Sequence, residues 1–137
     1  PLDSALGALY EEPRRTAGVL LVEDNAVNRL VGSEMLRSLG YEVVEAEDGA
    51  EALDHVQRAP VDLVLMDCQM PVMDGYEATR RIRERELRLG LPRTPIVALT
   101  ANAFDENVAQ ALAAGMDAHL AKPYTRNQLR EALSNWL

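Results

Sequence analysis

The sequence has little cysteine, no long apolar run and no excess of positive charge. Cys68 is the only cysteine among 137 residues, so no disulfide can form within the chain, which fits a reducing, intracellular setting. No apolar run reaches the roughly 18 residues typical of a transmembrane helix. The start, PLDSALGALYEEPRR, is too interrupted by charge and proline for a signal peptide. We therefore expect a cytoplasmic domain, with any membrane anchor elsewhere in its parent protein.

Acidic residues outnumber basic ones, 22 to 14, and the formal net charge is -8. The phosphate backbone of a nucleic acid would repel such a chain, so we expect no nucleic-acid partner. Hydrophobic residues make up 47% and charged residues 26%, which is ordinary for a globular domain with one core. One segment is nevertheless rich in arginine. We interpret it as a solvated helix face, with a docking patch for an acidic partner surface as the alternative. It contains Arg80, Arg81, Arg83, Arg85 and Arg88.

The chain divides into a tail and one domain. Residues 1–16 carry proline, glycine and mixed charge without a sustained period, which indicates a linker or tail. Because the chain begins with Pro rather than Met, we interpret it as a fragment of a longer protein. Residues 17–137 contain five short apolar segments that alternate with segments of helical periodicity. The predicted strands are 19–22, 41–46, 61–66, 95–99 and 117–121.

Three helix starts have the spacing of a capping box, in which a polar cap is followed three residues later by Glu or Gln. The pairs are Asp48 with Glu51, Asp74 with Glu77, and Thr125 with Gln128. Strands and helices in alternation predict an α/β fold with a mostly parallel sheet covered on both faces. In such sheets, ligands bind beyond the carboxyl ends of the strands.

Polar residues capable of chemistry stand at four of these strand ends. They are Glu23 and Asp24 after the first strand, Asp67 after the third, Thr100 after the fourth and Lys122 after the fifth. If the strands are parallel, all five side chains emerge at one edge of the sheet. Like charges about 4 Å apart repel by roughly 4 kcal/mol at an effective dielectric constant near 20, so three carboxylates need compensation. Lys122 supplies one positive charge, and Mg²⁺, which prefers oxygen ligands, would supply two more.

Asp67 is the best candidate for a nucleophile that accepts a phosphoryl group. It stands alone at the end of the central apolar strand, whereas Glu23 and Asp24 form a pair better suited to holding a metal. The cation, Lys122 and the Thr100 hydroxyl would neutralise and orient the phosphoryl group. Each residue alone has an ordinary explanation as a turn, strand or surface residue. Their combination at one sheet edge is what indicates a site.

The sequence resembles the receiver domains of two-component signalling over roughly residues 18–137. The matching stretches are VLLVEDN (19–25), VDLVLMDCQMPVMDGYEATRRIR (61–83), TPIVALTANA (94–103) and GMDAHLAKP (115–123). The resemblance implies a flavodoxin-like, three-layer (βα)5 fold with strand order 2-1-3-4-5. The residues of these motifs are most similar to those in the receivers of hybrid sensor histidine kinases.

The resemblance also implies roles for individual residues. Asp67 would be the phosphoacceptor, and Glu23, Asp24 and the backbone carbonyl of Gln69 would complete the protein ligands of Mg²⁺. Thr100 would hydrogen-bond the phosphoryl group and act as a switch, and Lys122 would pair with a phosphoryl oxygen. The Lys122–Pro123 peptide bond would be cis.

Four further residues carry expectations of their own. His119 stands where the family usually has a switching Tyr or Phe, so it is either a switch residue or a plain surface residue. Gln69 and Asn102 would flank the path of attacking water and set the lifetime of the phosphoryl group. Cys68, next to the phosphoacceptor, would only fill space.

The expected function is a phosphorelay switch. A phosphohistidine, on a histidine kinase core or a histidine phosphotransfer protein, would donate its phosphoryl group to Asp67. The domain would thereby catalyse its own phosphorylation and dephosphorylation, while its parent protein is the candidate kinase. One alternative is a phosphatase of the haloacid dehalogenase type, which usually has a second Asp where this chain has Gln69. A second alternative is a receiver-shaped binding module that is never phosphorylated.

Overall fold

Helices and strands alternate throughout the computed structural model, which describes residues 17–70, 72–101 and 105–137. In chain order they are β1 (Gly18–Val22), α1 (Ala26–Ser38), β2 (Glu42–Ala46), α2 (Gly49–Arg58), β3 (Leu63–Asp67), α3 (Gly75–Leu89), β4 (Ile96–Thr100), α4 (Asp105–Ala114), β5 (Ala118–Ala121) and α5 (Arg126–Ser134). None of the helices in these ranges is long and apolar enough to cross a membrane. The expected tail, residues 1–16, lies outside the described part of the chain.

The five strands form one parallel sheet in the order β2-β1-β3-β4-β5. The predicted α/β class and the strand order implied by the resemblance are therefore confirmed. β3 lies at the centre, and all five of its residues are buried, as are all five of β4. Near-continuous apolar runs of this kind are typical of strands that are covered on both faces.

Alternation along each strand divides the core into two layers. Leu20 and Val22 of β1 face a cluster that includes residues of α2, α3 and α4, such as Ala52 and Ile82. The intervening residues of β1 face a second cluster with residues of α1 and α5, among them Leu36, Leu129 and Leu133. Successive side chains of a strand point to opposite faces, so a single strand contributes to both layers. The result is the predicted three-layer arrangement.

The predicted helix starts are all present, although only one has a complete capping box. Thr125 accepts a hydrogen bond from the backbone N–H of Gln128, and the Gln128 side chain accepts one from the N–H of Thr125. Asp48 and Asp74 cap α2 and α3 through their own side chains. At the start of α3, the Glu77 side chain pairs instead with two arginines, Arg80 and Arg81.

The arginine-rich segment is not uniformly solvated, so the prediction of a solvated helix face is wrong for Arg83. This side chain is 10% exposed and forms ion pairs of 2.8 Å with Glu86 and with Asp117. It also donates to the backbone carbonyls of Thr94 and Gly115. Arg83 falls at helical spacing from Thr79 and Glu86, on the face that α3 buries. It therefore ties α3 to the loops before β4 and β5, at the edge opposite the predicted site.

Candidate functional site

The carboxyl ends of β1, β3, β4 and β5 open into one polar cleft of about 290 Å³. All the predicted strand-end residues line it, namely Glu23, Asp24, Asp67, Thr100 and Lys122, as does Gln69. Parallel pairing of the strands explains this convergence, because Asp67 lies beside Leu99 in the register of β3 and β4, next to Thr100. Asn102, the other residue expected near attacking water, lies outside the described residues.

Carboxylate oxygens of Glu23, Asp24 and Asp67 lie within 4.8 Å of one another. Glu23 and Asp67 are 2% and 4% exposed, whereas Asp24 is exposed at the rim. Three hard oxygen donors at this separation can surround one small divalent cation, with water or other oxygens in the remaining positions. The residues present therefore fit the expected Mg²⁺ site.

Lys122 holds the two buried carboxylates together. Its Nζ donates to Oε2 of Glu23 and to Oδ2 of Asp67, each at 3.1 Å. Burial lowers the pKa of Lys122, but the carboxylates of Asp67 and Glu23 outweigh burial and raise the pKa above its ordinary value. Lys122 thus stays charged at neutral pH. Its backbone N–H donates to the Thr100 carbonyl at 2.7 Å, and the Lys122–Pro123 bond is cis, the form implied by the resemblance.

Asp67 ionises less readily than an ordinary aspartate. Burial raises the pKa of its carboxyl from 3.8 to about 6, the negative charge of Glu23 adds to the rise, and Lys122 opposes it. The backbone N–H of Gln69 donates to Oδ1 of Asp67 at 3.2 Å, which also favours the charged form. At neutral pH the carboxyl is therefore an anion held at an energetic cost, which an additional positive charge would relieve.

The hydroxyl of Thr100 is available to a ligand. Thr100 is 2% exposed, and among the described residues its Oγ1 is buried without a hydrogen-bond partner. An unpaired buried hydroxyl is costly, so its position at the cleft marks a place for an incoming oxygen. Cys68, in contrast, is buried and has a pKa raised to about 11, chiefly by burial, which is consistent with a space-filling thiol.

Asn28 and Tyr76 are among the residues of the cleft that the sequence predictions missed. Both lie near the start of a helix that follows a strand end, Asn28 in α1 and Tyr76 in α3. The first turn of such a helix borders the same sheet edge, and this is the signal that could have found them. His119 is exposed on β5 beside Ala98 of β4 and does not line the cleft. Its switching role stays a prediction.

Known proteins resemble this chain in sequence and in fold. Residues 19–134 match the family model described as the response regulator receiver domain. "Probable histidine kinase 2" of Oryza sativa subsp. indica is 44% identical over an alignment of 146 positions, which includes 96% of this chain. The same stretch covers 14% of the rice protein, so this chain spans only a small part of that relative's length.

Two solved structures illustrate the likeness. The receiver domain of sensor histidine kinase PA1611 from Pseudomonas aeruginosa PAO1, with magnesium coordinated in its active-site cleft, is 48% identical. It superposes with a TM-score of 0.80 over 89% of this chain and 98% of that one. The Saccharomyces cerevisiae receiver domain of Ssk1, solved with the histidine phosphotransfer protein Ypd1, is 30% identical, with a TM-score of 0.83 and 91% coverage of both chains. On its sequence and its fold, this chain belongs to the response regulator receiver domain family.

Proposed function

We propose that this domain is a phosphorelay switch that accepts a phosphoryl group from a phosphohistidine onto Asp67 in the presence of Mg²⁺. The observation that carries this proposal is the convergence of three carboxylates, Lys122 and a Thr100 hydroxyl on one cleft, and that hydroxyl is unpaired within the described part of the chain. The PA1611 receiver, which is similar in sequence and fold, holds magnesium in its own cleft. We further propose a cytoplasmic location and a parent protein of the hybrid sensor histidine kinase type.

The chemistry follows from the residues around Asp67. An oxygen of its carboxylate attacks phosphorus, the phosphorus–nitrogen bond to histidine breaks, and the nitrogen keeps the bonding electron pair. Lys122 is close enough to Asp67 to pair with an oxygen of the transferred group, and the Thr100 hydroxyl can donate to another. Bound Mg²⁺, held by Glu23, Asp24, Asp67 and the Gln69 carbonyl, would supply positive charge against the developing negative charge.

The switching step follows from the same contacts. A transferred phosphoryl group brings a charge of about -1.5 to -2 to the cleft, where Lys122 now bridges Glu23 and Asp67. The group would draw the Thr100 hydroxyl toward itself, and β4 would transmit that shift to β5 and its exposed His119. Gln69, exposed at the rim, would influence how soon water removes the group.

Mass spectrometry after incubation with acetyl phosphate and MgCl₂ tests the proposal. Wild-type protein should gain the mass of one phosphoryl group, Asp67→Asn should gain none, and EDTA should abolish labelling. Asp54→Asn changes an aspartate of α2 whose side chain is 48% exposed, serves as the matched control and should label normally. An unchanged mass in the wild type, or normal labelling of Asp67→Asn, would refute the assignment. Continuous turnover of a phosphomonoester would favour the phosphatase alternative instead.

The face of α1 beside the cleft has exposed apolar residues on which the expected partner, a histidine kinase core or a histidine phosphotransfer protein, could dock. Val27, Leu30 and Val31 of this helix are 68%, 60% and 46% exposed. A groove of about 380 Å³ runs between α1 and the segment after β5, and it shares Asn28 and Lys122 with the acidic cleft. A protein that covers these apolar residues would bring its own reactive group next to Asp67.

Phosphoryl transfer from phosphorylated Ypd1 distinguishes docking from chemistry. Leu30→Asp should slow this transfer and leave labelling by acetyl phosphate unchanged, because the small donor needs no docking surface. Leu87→Asp changes an 86% exposed leucine of α3 and serves as the control. Equal transfer rates in the two variants would contradict docking on α1, provided that the wild type accepts the group.

A further inference from the structure

Arg29 binds the backbone of the acidic pair that lines the cleft. It lies in the first turn of α1, and its side chain, 16% exposed, turns back toward the loop after β1. One guanidinium nitrogen, Nη1, donates to the carbonyl oxygen of Glu23 at 2.9 Å and lies 3.5 Å from that of Asp24. Arg29 thus contacts both residues of the pair through their peptide groups rather than through their carboxylates.

The other side of the guanidinium is held by acidic residues at the end of β2. Nη2 donates to Oε1 of Glu47 at 3.4 Å, and Nε lies 3.8 Å from Oε1 of Glu45. Glu45 itself accepts a hydrogen bond from the hydroxyl of Ser33, which is fully buried in α1. The planar fork of Arg29 is therefore held between helix, strand and loop, which makes it a rigid support.

The orientation of these two peptide groups determines where the carboxylates of Glu23 and Asp24 point. Glu23 is buried and has other anchors, since its N–H donates to the Ala46 carbonyl at 3.0 Å. Asp24 is exposed, so the direction of its side chain depends more strongly on its backbone. A carbonyl that loses a charged donor can rotate, and the carboxylate attached to that residue then moves relative to Asp67.

We propose that Arg29 is a positioning residue for the divalent-cation site, and this inference rests on the proposed function. It holds the peptide groups of Glu23 and Asp24 so that both carboxylates stay within reach of Asp67. The sign of the effect separates this role from simple electrostatics. The positive charge of Arg29 by itself repels a cation, so an electrostatic role predicts tighter Mg²⁺ binding when the charge is removed. A positioning role predicts weaker binding.

Calorimetric titration of the protein with MgCl₂, at fixed ionic strength and without a phosphoryl donor, tests the inference. Arg29→Gln should raise the dissociation constant by about 10-fold or more, as is typical when support of a metal ligand is lost. Arg29→Lys keeps the charge but loses the planar fork, so its dissociation constant should lie between those of the wild type and Arg29→Gln. Arg37→Gln, an exposed arginine of the same helix that pairs with Glu34, should bind like the wild type.

Urea denaturation of the same variants in EDTA separates positioning from a general contribution to folding. If Arg29 has a purely structural role, Arg29→Gln will have a lower urea midpoint, but its folded fraction will bind Mg²⁺ with the wild-type dissociation constant. That result would overturn the inference. Equal or tighter binding by Arg29→Gln would overturn it as well. If Arg29→Gln does not fold, wild-type affinity in Arg29→Lys is the refuting result. Absence of Mg²⁺ binding by the wild type would instead defeat the proposed function, and this inference with it.

Discussion

Replacing Asp67 with Asn should stabilise the metal-free protein at neutral pH, because the native carboxylate is held at an energetic cost. Burial and Glu23 raise the pKa of Asp67 from 3.8 to about 6. A rise of about two units corresponds to an upper bound of about 3 kcal/mol, at about 1.4 kcal/mol per unit. Because the carboxyl lines a cleft that water enters, screening reduces this to about 1–2 kcal/mol. Asn has a similar shape and carries no charge.

The sign of the pH dependence follows from the direction of the pKa shift. A carboxyl whose pKa is higher in the folded state binds its proton more tightly there, so folding is favoured while Asp67 is protonated. This contribution is fully present below the unfolded pKa of 3.8 and is lost as the pH rises through about 6. The advantage of Asp67→Asn should therefore be near zero at about pH 4 and complete above about pH 7.

Urea denaturation in EDTA at several pH values measures this advantage directly. Asp54→Asn removes the same charge from a half-exposed side chain that forms only a surface ion pair with Arg58, and should change the free energy of unfolding by less than about 0.5 kcal/mol. Adding MgCl₂ should reverse the ranking, since a ligand at 100 times its dissociation constant stabilises the folded state by about 2.7 kcal/mol. The reasoning is refuted if Asp67→Asn is less stable than the wild type at neutral pH in EDTA, or if its advantage is independent of pH.

Three further substitutions probe the frame around the site. Arg83→Gln would leave the buried carboxylate of Glu86 without its ion-pair partner, while Asp117 keeps Arg93, and should lower the free energy of unfolding by about 3–5 kcal/mol. Arg88→Gln on the exposed face should cost less than about 0.5 kcal/mol, and equal urea midpoints would contradict this. Gly75→Ala would place a Cβ against the backbone carbonyl of Asp67, so we expect a loss of about 1–3 kcal/mol and slower labelling by acetyl phosphate; unchanged midpoint and labelling rate would argue against that overlap. Thr125→Ala removes the cap of α5, which does not line the cleft, and should cost about 1 kcal/mol in urea denaturation without slowing labelling. Slower labelling would speak against a purely local effect.

The boundaries of the strands show what the apolar pattern of the sequence can predict and what it cannot. Apolar patterning predicts the third strand at 61–66, and in the structure it is Leu63–Asp67, so Asp67 belongs to the sheet rather than following it. Apolar patterning finds the segment that is buried, but hydrogen-bond register with β4 decides where the strand ends, because Asp67 pairs beside Leu99. The predicted strand-end residues nevertheless meet in one cleft, since one residue more or less at a strand end keeps a side chain at the same edge.

Charged residues on helices were the least predictable part of the site and its frame. Arg83 belongs to a segment read as solvated, yet one of its ion-pair partners, Asp117, is 34 residues away along the chain. Arg29 has no motif of its own, and its contact with the Glu23 carbonyl depends on how the first turn of α1 sits over the preceding loop. The sequence around each arginine does not indicate which distant residues will lie close enough to pair with it.

The sequence by itself determined the alternation of strands and helices, the helix caps and the identity of the residues at one sheet edge. These features follow from short-range patterns, in which each residue is judged against neighbours a few positions away. Only the tertiary structure decided that Lys122 bridges Glu23 and Asp67, that burial raises the pKa of Asp67, and that the Thr100 hydroxyl has no hydrogen-bond partner among the residues that the structure describes. Pairing and burial depend on distances between groups that are far apart in the chain, and those distances exist only once the sheet has formed.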